Sequence, residues 1–104
     1  MDFVIKNLEK SISEISREIG YVIIDTDGNN EYNLVRKLQF SSFPRFHLYM
    51  TRQGVNFLLS LHLDQKKPWY ESKGVHAHNG EYFGPVIDTE AERIIEILEG
   101  YDPD

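Results

Sequence analysis

The chain has 104 residues, of which 40% are hydrophobic and 27% charged, with no cysteine and a formal net charge of −6. The length predicts one domain over 1–104, able to bury a modest core without staples. The lack of cysteine excludes disulfides, thiolate zinc sites and thiol nucleophiles, and fits a reducing, cytoplasmic setting.

No signal peptide is expected in "MDFVIKNLEKSISEISREIG", which carries an early acid and no continuous apolar run. No stretch has the uninterrupted apolar length that spans a bilayer, so no membrane role is expected. Charge is uneven. Residues 1–87 hold ten acids and ten Lys/Arg, whereas 88–104 hold seven acids and only Arg93. Residues 32–73 hold seven Lys/Arg against Asp64 and Glu71, so a basic face can hide inside an acidic average.

Ile5, Leu8, Ile12, Ile15 and Ile19 recur at spacings of 3, 4, 3 and 4, which predicts one amphipathic helix over 2–19 ending at Gly20. "YVIID" then reads as a strand, "TDGNNE" as a turn and "EYNLVRKLQF" as a second strand. Its alternation puts Tyr32, Leu34, Leu38 and Phe40 on one face, with Arg36 awkwardly among them. Pro44 ends it.

"RFHLYMTRQGVNFLLSLHLD" is two alternating runs and predicts a hairpin. A two-residue turn at Gln53 and Gly54 pairs Met50 with Phe57, Leu48 with Leu59 and Phe46 with Leu61. A three-residue loop would set apolar against polar side chains along the whole ladder, so the parity of the pattern rejects it. "EYFGPVI" reads as a short edge strand. Thr89 with Glu92 forms a capping-box pattern that predicts a helix starting there, with Ala91, Ile94, Ile95 and Leu98 as its buried stripe.

These elements predict an α+β two-layer sandwich. An antiparallel β-meander of four to five strands would carry the N- and C-terminal helices on one face and leave the other to solvent. In the chosen register Tyr49 opposes Leu58, His47 opposes Ser60 and Arg45 opposes His62, with Lys37 and Gln39 joining the same open face. Arg45, His47, Tyr49, His62 and Asp64, with Lys66 and Trp69 from the following segment, are the candidate ligand-binding residues. Such side chains also serve as ordinary cross-strand packing.

The stretch "GVHAHNGEYFG" at 74–84 offers His76, His78 and Glu81, donor types that suit zinc or a similar divalent ion, and His62 or Asp64 would complete the set. Asn79 and Gly80 make the same stretch a plain turn. Its spacing is similar to the first cupin motif but departs from it twice. Only one residue separates Gly74 from His76, and Glu81 comes one residue early. No second cupin motif follows, and no cupin barrel is expected.

Three functional classes follow. A binding module would use the open sheet face and the 65–84 segment for a small anionic ligand or a protein partner. Single-stranded nucleic acid is a minor branch, since the aromatic signature of RNA-recognition sheets is lacking. A metal-dependent hydrolase would use a divalent ion to activate water, with Asp64 or Glu81 as base. An interaction protein would present the acidic segment 88–104 to a basic partner. A monomer fits, and so does a homodimer paired through a sheet edge.

Overall fold

The computed structural model describes residues 1–65, 80–81 and 84–100. Strands β1 (Asp2–Ile5), β2 (Val22–Thr26), β3 (Glu31–Lys37), β4 (Arg45–Gln53), β5 (Asn56–Asp64) and β6 (Gly80–Glu81) form one sheet. Helices α1 (Ile12–Ile19) and α2 (Pro85–Glu99) complete the fold. The strand order is β1-β5-β4-β3-β2, every pairing is antiparallel, and β6 pairs with β5. The sheet is open, and the fold is the expected α+β class.

The predicted N-terminal helix is two elements. Residues Asp2–Ile5 form a strand, with Phe3 opposite Leu59 and Ile5 opposite Phe57. Asn7 takes a φ of +56°, which ends any regular run, and Ser11 caps a later helix. The Ser11 hydroxyl accepts from the Glu14 N–H, and the Glu14 carboxylate accepts from the Ser11 N–H. That reciprocal box is a stronger start signal than apolar spacing alone. The 3–4 spacing arises because Ile5 on the strand, Leu8 on the connection, and Ile15 and Ile19 on the helix all reach one core. Tertiary pairing decided the matter. Leu61 exchanges two backbone hydrogen bonds of 2.8 Å with Met1, so the outer edge of β5 is satisfied by this segment. Gly20 ends α1 as expected, at φ +80°.

β4 and β5 form the expected hairpin, but shifted by two residues. The turn is Gly54 and Val55, so Met50 pairs with Leu59, Leu48 with Leu61 and Phe46 with Leu63. A two-residue hairpin loop needs positive φ at its first position, and Gly54 has it at +65°; the expected turn would have forced Gln53 into that region. Parity cannot see this shift, because moving by two residues keeps every side chain on its face.

β3 stops at Lys37. Leu38 donates its N–H to the Pro44 carbonyl at 3.2 Å as the chain turns away, and Leu38 and Phe40 are exposed instead of sharing the buried face. β6 has two residues, and Pro85 starts α2 where an edge strand was expected. Proline suits the first helical turn because it lacks an N–H that would be unpaired there anyway. The helix thus begins four residues before Thr89, and Ile87 joins Ala91, Ile94 and Leu98 in one buried stripe.

Both helices lie on the same side of the sheet. Ile15 and Ile19 of α1 and Ile87, Ala91, Ile94 and Leu98 of α2 share one core with Leu34, Phe46, Leu48, Met50, Phe57, Leu59, Leu61 and Leu63. Among the described residues no helix is long and apolar enough to cross a membrane.

Candidate functional site

β4 and β5 lie inside the sheet, so their backbones are fixed on both sides. Phe46, Leu48 and Met50 point into the core, and alternation therefore sends Arg45, His47 and Tyr49 to the other face. On β5 the same rule sends Ser60, His62 and Asp64 there. The shifted register makes the juxtaposition tighter than expected: His47 stands opposite His62, Arg45 opposite Asp64 and Tyr49 opposite Ser60. On the far side of β4, Lys37, Val35 and Asn33 stand opposite Arg45, His47 and Tyr49.

Asp64 is the centre. His47 Nδ1 lies 3.1 Å from Oδ2, His62 Nε2 lies 3.1 Å from Oδ1, and Arg45 Nε donates to Oδ2 at 3.3 Å. His62 is buried, and the side chains of His47 and Asp64 are mostly sheltered. Burial alone would push the Asp64 carboxyl up. The hydrogen bonds and charge of the two imidazoles outweigh it and hold the group well below the usual carboxylate range.

The other ring nitrogen of His47, Nε2, is 2.9 Å from Asn33 Oδ1. An ionised carboxylate only accepts, whereas an amide turned by 180° offers either an acceptor or a donor. Asn33 can therefore serve His47 with or without a proton on Nε2. The Tyr49 ring stacks on both imidazoles, which are tilted to each other. Tyr49 lies 4.3 Å from the His47 ring at 26° and 5.5 Å from the His62 ring at 24°, and the two imidazoles are 4.8 Å apart. The Arg45 guanidinium sits 4.5 Å over the Phe43 ring. The side chains with metal-ligating atoms, His47, His62 and Asp64, hold those atoms within 4.8 Å of one another.

Five of the residues expected at the site, Arg45, His47, Tyr49, His62 and Asp64, thus come together. Gln39 does not join them, since β3 ends before it. Lys66, Trp69, His76 and His78 lie outside the described residues. Glu81 stands opposite Leu63 in the ladder, beside the Gly80–Asp64 pair.

Sequence reasoning missed Asn33, although an asparagine in mid-strand is unfavourable enough to have drawn notice. It also missed a second polar cluster on the helix side. Glu90, on α2, is buried. It accepts from Tyr21 Oη at 2.7 Å, from Arg36 Nη1 at 3.2 Å and from Arg93 Nε and Nη2, each at 2.9 Å. Arg93 also donates to the Ile19 carbonyl at 2.6 Å, at the end of α1. The inward Arg36 that interrupted the apolar face of β3 was the visible signal of this buried acid. A cavity of about 410 Å³ lined by Phe46, Pro85, Val86, Thr89 and Glu90 opens nearby.

A scan against protein-family models finds no match, no curated protein is similar to the chain, and no solved structure matches it.

Proposed function

We propose that the protein is a small binding module that takes an anionic ligand on the polar face of β3, β4 and β5. One observation carries this reading: Arg45, His47 and His62 converge on the single carboxylate of Asp64, on the face that neither helix covers. Asp64 carries one negative charge, and Arg45 alone balances it. Lys37, opposite Arg45, adds a further positive charge. Arg45 commits Nε to Asp64, and a guanidinium has five N–H donors, so its terminal nitrogens can receive an oxyanion. The Tyr49 ring offers a flat, half-exposed wall beside them. A cytoplasmic setting accords with the absence of cysteine.

The test is a histidine NMR titration with pyrophosphate, run against sodium chloride at matched ionic strength. Saturable shifts at His47 and His62 are expected. Arg45→Gln should weaken binding by about tenfold or more, the worth of one charge-assisted hydrogen bond. Shifts that merely follow ionic strength, identical in Arg45→Gln, would sink the reading.

A further inference from the structure

We propose that His47, His62 and Asp64 form a site for a divalent transition-metal ion of the zinc class, set into the face assigned above to ligand binding and resting on that assignment. The donor set is two imidazole nitrogens and one carboxylate, which suits zinc and its neighbours; magnesium and calcium prefer oxygen alone. Ligand atoms around a tetrahedral zinc stand roughly 3.3–3.5 Å apart, given bond lengths of about 2.0–2.2 Å. The two His–Asp spacings of 3.1 Å run to different carboxylate oxygens, and one ligand atom from each residue lies within 4.8 Å of the others, so the side chains must draw together by about an ångström to share one ion.

The hydrogen bonds around the cluster are compatible with a cation at its centre. With the Asn33 amide turned so that Oδ1 faces it at 2.9 Å, Nε2 of His47 can carry the hydrogen. In a neutral ring the lone pair is then on Nδ1, aimed at the Asp64 carboxylate. A proton or a metal ion can stand between these two groups, and His62 Nε2 lies at the same 3.1 Å from the other carboxylate oxygen. The outer contacts also resemble what a metal site requires. The Asn33 amide oxygen can hold the His47 tautomer, a guanidinium holds Asp64 Oδ2, and Tyr49 stacks on both rings.

The ligands come from adjacent, directly paired strands, with His62 and Asp64 two residues apart and His47 across the ladder. A helix-backed sheet holds that geometry more rigidly than a loop. Three protein ligands leave a fourth position. An ion there, with two neutral imidazoles and one carboxylate, leaves a net charge of about +1 beside Arg45. The fourth position would then accept the anion.

The experiment is calorimetric titration of untagged, metal-free protein with zinc, paired with visible absorption of the cobalt(II) form and histidine NMR. One ion per chain, a tetrahedral cobalt spectrum and shifts at both His47 and His62 are expected. His62→Gln and Asp64→Asn should each weaken binding by more than about 100-fold, and Asn33→Ala by about 10- to 100-fold, as loss of an outer-shell partner does. Unchanged core methyl spectra would show that these variants remain folded. His76→Ala/His78→Ala should leave affinity within threefold. Loss of binding in that pair, or retention in Asp64→Asn and His62→Gln, overturns the proposal. So does the absence of specific binding at micromolar protein. If pyrophosphate still titrates His47 and His62 in metal-free protein while zinc does not bind, only the metal site fails. If zinc binds and pyrophosphate binds neither form, the anion reading fails and the metal site stands.

Discussion

Glu90→Ala is expected to destabilise the fold by about 2–4 kcal/mol. Removing one partner of a buried ion pair costs about 3–5 kcal/mol, because the charges left behind lose their counter-ion. Here the cost is discounted, since the Arg36 and Arg93 side chains are 36% and 32% exposed and can turn to water. Tyr21 has less freedom. It is buried with the core, and its hydroxyl would face the space vacated by the carboxylate. Arg36→Met should cost only about 1 kcal/mol, the worth of one hydrogen bond, as Arg93 and Tyr21 still hold Glu90. Urea denaturation midpoints check both values. A Glu90→Ala variant within about 0.5 kcal/mol of wild type would mean that the network does not hold α2 to the sheet.

The same cluster predicts sensitivity to alkali. Burial raises the Tyr21 hydroxyl first, and the negative charge of Glu90 raises it further. A group whose pKa is raised on folding gives stability that is fully present below its unfolded value, about 10 for tyrosine, and is lost as pH rises toward the folded value. Stability should therefore fall above about pH 10, and less steeply in Tyr21→Phe, when followed by chemical denaturation across that range.

Phe57→Ala and Phe40→Ala should differ sharply. Phe57 is fully buried on β5, opposite Arg52, whose guanidinium lies 4.4 Å over the ring. Its truncation should cost about 3–5 kcal/mol through lost burial and the cavity left behind. Phe40 is wholly exposed beyond the end of β3, and its truncation should fall within about 0.5 kcal/mol. Alternation along 31–40 would have buried Phe40 as well. Thermal or urea unfolding of the two variants decides between a strand that ends at Lys37 and one that runs on.

How legible each element was depended on which forces set it. Alternation around Gly54 required a hairpin with one apolar face, since burial and the two-residue period act on every position at once. The same parity named Arg45, His47, Tyr49, His62 and Asp64 as neighbours on the polar face. It could not say which of them stood opposite which. That depended on a backbone condition at one residue, the positive φ of Gly54. With the register moved by two, Asp64 came opposite Arg45, and His47 met His62 where it would have met Ser60.

By itself, the sequence determined the class of fold, the helix-bearing face, and five members of the polar cluster, Arg45, His47, Tyr49, His62 and Asp64. All three follow from periodicity and hydrophobic burial, which are local patterns with a global consequence. The tertiary structure decided what depends on partners far away in the chain. Residues 2–5 became a strand because the edge of β5 needed backbone partners. Pro85 opened a helix because the stripe of Ile87, Ala91, Ile94 and Leu98 found the core. Glu90 was drawn inside because Tyr21, Arg36 and Arg93 could meet it there, and no periodicity within one segment encodes the meeting of four side chains from three segments.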